Sequence, residues 1–166
     1  MYFKSLRTSQ WIKNILIFIP LFTGGTVNFE NFLSLFYVFI GFSLVVSSTY
    51  IYNDFKDIET DKNHPTKKNR PIASGSIGRV SGNIFMFLLF IVGNTILFIT
   101  NERLIVYSLI YIAITISYSE KLKYIKYSDI VSVSILFVLR VLLGSEAASI
   151  PTSVPLLLFV FFTSLG

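Results

Sequence analysis

The chain has 166 residues, of which 53% are hydrophobic and only 14% charged, with a formal net charge of +5. Soluble domains carry about 25% charged residues, so this composition excludes an ordinary soluble fold and indicates helices that cross a membrane. The absence of cysteine excludes disulfides and thiolate chemistry, and basic residues divided among three short loops argue against nucleic acid as a partner.

Apolar segments follow one another along the chain. The first, 12–26, is short and contains Lys13, Asn14 and Pro20, which predicts a kinked or tilted helix and not a cleaved signal peptide. The next is 32–52, which is long enough to span a bilayer. The others are 84–99, 104–118, 130–143 and 154–165. The last would give roughly 18 Å of helix against a ~30 Å hydrocarbon core, so we expect the chain to end partway through a span. The sequence thus predicts one all-α transmembrane domain over residues 1–166, with a polar loop at 53–79.

Three carboxylates follow the second apolar segment. Asp54, Asp57 and Asp61 are spaced i, i+3 and i+7, which places them within roughly 60° of one another on a helix face. Like charges on one face repel, so the arrangement favours a shared cation. Oxygen ligands suit Mg²⁺, which also takes substrate phosphates as ligands. The pattern therefore predicts a magnesium-dependent diphosphate site beside the membrane.

The basic residues predict the orientation. The N-terminus, the 53–79 loop and the 119–128 loop hold twelve of the fourteen Lys and Arg residues, whereas the alternate loops hold only Arg103. This bias predicts that the N-terminus and both polar loops are cytoplasmic. Arg140 lies deep in an apolar segment, where a charge is costly. We expect it to face the interior and to bind a phosphate or an acidic partner.

The stretch Asn53-Asp54-x-x-Asp57-x-x-x-Asp61 resembles the first aspartate-rich motif of the UbiA superfamily of intramembrane prenyltransferases. Residues 64–75, HPTKKNRPIASG, resemble the stretch that follows it. Residues 6–14, LRTSQWIKN, resemble the opening of the branch that contains decaprenyl-phosphate phosphoribosyltransferases, and residues 118–123 and 139–144 also resemble that branch. The likeness covers essentially the whole chain, but only about five to six spans of the family's nine-helix bundle. A second acidic motif that family members carry in a later loop has no counterpart here.

The resemblance implies an integral protein of the bacterial inner membrane that binds a diphosphate donor through Mg²⁺ and seats a polyprenyl lipid between helices. In this branch, phosphoribosyl would pass from phosphoribosyl diphosphate to a polyprenyl phosphate. Asp54, Asp57 and Asp61 would be the catalytic metal ligands. The residues expected to contact substrate are Lys13, Asn14, Asn53, Lys67, Arg70, Lys121, Lys123 and Arg140. Arg70 is the strongest candidate for a phosphate clamp because a guanidinium binds two oxygens at once.

Two other functions stay open at this point. One is an aromatic prenyltransferase that uses a polyprenyl diphosphate as the donor, since the same acidic motif would serve it. The other is an inactive fragment or membrane subunit, since half of the family's catalytic cavity would be missing. The sequence also leaves a homo-oligomer open.

Overall fold

A computed structural model describes residues 1–23 and 28–165, together with the side chains of these residues except that of Lys123. The described chain is helical throughout, with turns between the helices and no strand in these ranges. The helices, in chain order, are α1 (Tyr2–Ser5), α2 (Ile19–Thr23), α3 (Phe29–Lys56), α4 (Ile58–Lys62), α5 (Arg79–Thr100), α6 (Leu104–Glu120), α7 (Ser128–Ala148) and α8 (Val154–Thr163). An all-α membrane bundle is confirmed.

Three of these helices, α3, α5 and α7, are long and apolar enough to cross a membrane, while α6 and α8 are apolar but shorter. Helices α3, α5, α6, α7 and α8 overlap, in this order, with the expected apolar segments 32–52, 84–99, 104–118, 130–143 and 154–165. The first four of these helices are longer than the apolar segments. They also include polar residues at their ends, such as Asn53 and Asp54 in α3. The expected segment 12–26 is not a single α-helix over its described residues, 12–23. Its residues 24–26 lie outside the described ranges.

Residues Thr8–Phe18 form a 3₁₀ helix, which we call the N-terminal 3₁₀ segment, and it continues into α2. Runs of this length are uncommon, because the i→i+3 hydrogen bonds have poorer geometry than those of an α-helix. Here tertiary contacts hold the segment. The Trp11 indole N–H donates to Ser47 Oγ at 3.1 Å, and the Asn14 amide donates to Ser43 Oγ at 2.8 Å. The segment is thereby attached along one side of α3.

Two close backbone approaches fix the packing. A Cβ built at Gly144 on α7 would lie 2.0 Å from the carbonyl oxygen of Ile17, so only glycine lets α7 approach the N-terminal 3₁₀ segment this closely. Gly41 and Gly93 play the same part between α3 and α5, since a Cβ at Gly93 would lie 2.6 Å from the Gly41 carbonyl oxygen. Helix α3 therefore packs closely against α5, while α7 packs closely against the N-terminal 3₁₀ segment that is attached to α3.

The core lies around α3. Buried side chains of α3 pack with those of α2, α6, α7 and the N-terminal 3₁₀ segment, with Phe42 and Tyr111 in edge-to-face contact at 4.9 Å between ring centroids. A second, smaller cluster joins Ile51, Leu89 and two residues of the polar loop, Ile72 and Ile77. The loop is therefore anchored by its own apolar residues beneath the end of α3.

Candidate functional site: a buried acidic pair with two arginines

Two of the three predicted aspartates come together. Asp54 lies in the last turn of α3 and Asp61 in α4, and each is only 2% exposed. Arg70 joins them: its Nη1 donates to Asp54 Oδ1 at 3.2 Å and to Asp61 Oδ2 at 2.6 Å. Because both carboxylates contact the same nitrogen, their oxygens converge on one positively charged point.

Arg7 is the second cation of the site. Its Nη2 donates to the same Asp54 oxygen that Arg70 contacts, and its guanidinium lies 4.9 Å from the centre of the Tyr50 ring. Arg7 has φ 49° and ψ 49°, a left-handed conformation, at the point where the chain enters the N-terminal 3₁₀ segment. This turn directs the side chain of a residue near the N-terminus onto the end of α3.

The sequence predicted substrate contact for Lys13 and not for Arg7, but it is Arg7 that contacts the acidic pair. Lys13 is exposed, whereas Arg7 forms an ion pair with a buried aspartate. An arginine near the N-terminus also fits the positive-inside bias, and the resemblance of residues 6–14 to the family branch did not indicate what Arg7 contacts. Only the return of the N-terminal 3₁₀ segment onto α3 identifies it.

Asp57 does not join the other two in a three-ligand group. The helix is interrupted for one residue at Asp57, where φ is −93° and ψ is 12°, so α3 and α4 are separate helices. The expectation of one uninterrupted helix face carrying all three carboxylates is corrected accordingly. Asp57 is partly exposed, in contrast to the buried Asp54 and Asp61.

The donor set suits a magnesium ion only if substrate supplies further ligands. Within residues 1–23 and 28–165, no three Asp, Glu, His or Cys side chains form a group that could hold a metal. Mg²⁺ commonly takes one or two carboxylates and completes its shell with water and substrate phosphates. Asp54 and Asp61 can supply these one or two carboxylates, because their oxygens meet at the same guanidinium nitrogen of Arg70. Their role as metal ligands stays a prediction.

Asn53 lies beside the acidic pair and is tied to α6. Its side-chain oxygen accepts a hydrogen bond from the Ser119 hydroxyl at 2.6 Å. Lys56, one turn further along α3, donates to the Ser119 carbonyl oxygen at 3.2 Å. These two bonds fasten the end of α6 to the end of α3, so Asn53 has a structural partner beside any contact with substrate.

Three of the lysines predicted to contact substrate are Lys67, Lys121 and Lys123. Among the contacts of the described side chains, none links Lys67 or Lys121 to Asp54 or Asp61. Lys67 is exposed in the polar loop, where its backbone N–H donates to His64 Nδ1 at 3.3 Å. Lys121 is exposed just after α6. The side chain of Lys123 lies outside the described part of the structure. Substrate contacts by these residues stay predictions.

Arg140 and Asn14, also predicted to contact substrate, form a separate network inside the bundle. Arg140 is 3% exposed and Asn14 is fully buried. The Arg140 guanidinium donates to Asn14 Oδ1 at 2.8 Å and to the Leu136 carbonyl oxygen at 2.6 Å, and it contacts the Tyr111 hydroxyl at 3.4 Å. The expected interior position is therefore confirmed, but the contacts described are with the protein and not with an acidic side chain.

The fold and the site define a helical membrane protein with a charged cluster at one end of its longest helix. A sequence model of the UbiA prenyltransferase family matches residues 15–166. The chain belongs to the UbiA prenyltransferase family.

The chain is also similar to individual curated proteins. The chain is 33% identical to the decaprenyl-phosphate phosphoribosyltransferase of Mycobacterium tuberculosis over 98% of this chain and 55% of that protein. It is 35% identical to the uncharacterized protein y4nM of Sinorhizobium fredii over 99% of this chain and 33% of that protein. It is 30% identical to nodulation protein NoeC of Azorhizobium caulinodans over 95% of this chain and 52% of that protein. The chain thus spans between a third and just over half of the length of these curated relatives.

Proposed function

We propose that this chain provides the diphosphate-binding part of a membrane transferase that moves phosphoribosyl from phosphoribosyl diphosphate to a polyprenyl phosphate. The observation that carries the proposal is the cluster of Asp54, Asp61, Arg7 and Arg70 at the end of α3. Relatives named as decaprenyl-phosphate phosphoribosyltransferases, at about a third identity across nearly the whole chain, support the choice of donor and acceptor.

The polar loop and the N-terminus face the cytoplasm in this proposal. Twelve of the fourteen basic residues lie on that side, as the positive-inside bias requires. The acidic pair then lies where soluble phosphoribosyl diphosphate and Mg²⁺ are available, beside a bilayer that holds the lipid acceptor. The described relatives are bacterial, so the membrane is proposed to be the bacterial inner membrane.

The residues of the cluster divide the work of binding the donor. Asp54 and Asp61 would hold Mg²⁺. Asp57, which is more exposed than these two, would contribute less to holding the ion. When bound, Mg²⁺ stabilises the negative charge that develops on the departing diphosphate. Arg70 and Arg7, which are more exposed than the two aspartates, bind the diphosphate oxygens, and their guanidinium groups can each contact two oxygens.

The reaction needs no nucleophile from this chain. As the bond between C1 of ribose and the diphosphate breaks, the lipid phosphate oxygen forms the new bond to the same carbon. The positive charges of Arg7 and Arg70, held close to the end of α3, orient the leaving group away from the acceptor. This placement of charge before the reaction is the chain's main contribution to lowering the barrier.

The test is a transfer assay with the protein in membranes. Radiolabelled phosphoribosyl diphosphate is supplied with a polyprenyl phosphate in one reaction, and a labelled polyprenyl diphosphate is supplied with hydroxybenzoate in the other. Labelled lipid-linked phosphoribose is expected from the first. Product in the second alone would overturn the proposal in favour of an aromatic prenyltransferase, and product in neither would favour an inactive fragment or subunit.

A further inference from the structure

We infer that Arg7 is a resident counter-ion of the acidic pair, which makes metal binding depend on the diphosphate. Arg7 and Arg70 neutralise Asp54 and Asp61 when no ligand is bound. When a metal and a diphosphate arrive together, the metal takes the carboxylate oxygens and Arg7 moves to the phosphate oxygens. The identity of the ligand rests on the proposed function, but the exchange can be measured without any transfer reaction.

The charges of the cluster balance as the structure stands. Two carboxylates, each 2% exposed, face two guanidinium groups. Buried carboxylates are stable only when they are paired, so the arginines meet a need that a metal would otherwise meet. A divalent cation that entered alone would displace these pairs and leave two guanidinium groups beside it without a negatively charged partner. The metal on its own is therefore expected to bind weakly.

A diphosphate removes this obstacle. It brings two or more negative charges, and its oxygens are good acceptors for a displaced guanidinium. Metal and diphosphate together restore the balance that either one alone would upset. Their binding is consequently cooperative, and by linkage each ligand strengthens the binding of the other by the same factor.

The structure allows the Arg7 side chain to move while its backbone stays in place. The side chain is 23% exposed against 3% for that of Asp54, so it lies at the accessible edge of the cluster. The N-terminal 3₁₀ segment that follows is held by the hydrogen bonds from Trp11 to Ser47 and from Asn14 to Ser43, neither of which involves Arg7. If Arg7 leaves, Asp54 keeps a contact with Arg70 at 3.2 Å. Exchange of partners thus requires no rearrangement of the helices.

The experiment measures Mn²⁺ binding to the purified full chain by electron paramagnetic resonance, with no phosphate compound present. Arg7→Met removes one positive charge from the cluster and should therefore tighten Mn²⁺ binding. We expect a factor of about five or more, since coupling between two sites commonly begins at about five-fold. Arg7→Gln serves as a second neutral variant if Arg7→Met does not fold. Arg7→Lys, which keeps the charge, should bind Mn²⁺ within about two-fold of the unmodified chain.

Lys68→Met is the matched control, since it removes one positive charge from an exposed position in the polar loop that carries Arg70. It should leave Mn²⁺ binding unchanged. A second measurement uses radiolabelled phosphoribosyl diphosphate with Mn²⁺, and Arg7→Met should bind this compound more weakly, by a factor of about five or more. Fluorescence of Trp11, the only tryptophan, reports whether the N-terminal 3₁₀ segment keeps its position in each variant.

Opposite effects of Arg7→Met on the metal alone and on the donor support the exchange. Mn²⁺ binding that is unchanged or weaker in both neutral variants overturns it, as does equal tightening in Lys68→Met. The outcome is independent of the transfer assay: a failed transfer reaction bears on the proposed function, whereas these titrations bear on the counter-ion.

Discussion

Arg140 and Asn14, which are 126 positions apart in the sequence, share a hydrogen bond of 2.8 Å in the interior of the bundle. Asn14 in turn donates to Ser43, so the bond connects α7, the N-terminal 3₁₀ segment and α3. A buried guanidinium is costly unless it is hydrogen-bonded. The guanidinium carbon of Arg140 also lies 5.3–5.9 Å from the ring centres of Tyr111, Phe137 and Phe42, which is within the range of cation–π contacts. This network holds the segment that delivers Arg7 to Asp54.

Replacing Asn14 should therefore weaken the whole bundle. Asn14→Ala leaves the Arg140 Nε–H without its partner, and we expect a loss of about 2–3 kcal/mol in the free energy of unfolding. The measurement is chemical or thermal unfolding in detergent. Lys13→Ala, an exposed change at the neighbouring position, is the control and should cost less than about 0.5 kcal/mol. Equal effects of the two changes would contradict a structural role for the network.

Gly144→Ala tests the close approach of α7 to the N-terminal 3₁₀ segment. The added Cβ would meet the Ile17 carbonyl oxygen, a backbone atom that cannot rotate away, so the helices must separate. We expect a loss of about 1–3 kcal/mol in stability, as for other overpacked sites, measured by the same unfolding experiments. Gly78→Ala is the matched control, because the nearest contact of its Cβ is Ser81 Oγ at 3.7 Å. A fully stable Gly144→Ala variant would show that α7 lies further away.

The three aspartates should differ in their effects on transfer. Asp54→Asn and Asp61→Asn each remove one charge from the buried pair, and we expect each to lower the rate by about 100-fold or more. Asp57→Asn, at the partly exposed helix break, should have a smaller effect, about ten-fold. The rate of lipid-linked product formation is the measurement. A loss at Asp57 as large as that at Asp61 would mean that all three carboxylates hold the ion during the reaction.

Removal of divalent metal provides a simpler test of the site. Chelation with EDTA should abolish transfer, because the diphosphate then leaves without a stabilising cation, and added Mg²⁺ should restore it. The thermal unfolding temperature without substrate should stay nearly constant, since Arg7 and Arg70 already neutralise the acidic pair. A large drop in that temperature on chelation would argue for a metal that is part of the folded structure.

The sequence predicted the apolar helices well because a long hydrophobic run has few alternatives in a membrane. It did not predict that residues 8–18 would be 3₁₀, since that geometry comes from the partners of Trp11 and Asn14 on other helices. The sequence placed Asp54 and Asp61 on one helix face, whereas the structure brings them together from two helices through their shared contacts with Arg70. The separate position of Asp57 did not follow from the sequence pattern, because a one-residue helix break leaves the same spacing in the sequence. The pairing of Arg7 with Asp54, 47 positions apart, required the tertiary structure.

The break at Asp57 gives the two buried carboxylates different supports. Asp54 belongs to the longest helix of the bundle, which Gly41, Gly93 and the 3₁₀ segment hold in place. Asp61 belongs to a five-residue helix that is part of the loop. Asp54 is thus held by a membrane-spanning helix, whereas Asp61 is held by a short helix within the polar loop. Substitutions within the loop are therefore expected to shift Asp61 before they shift Asp54, whose position depends on the packing of α3.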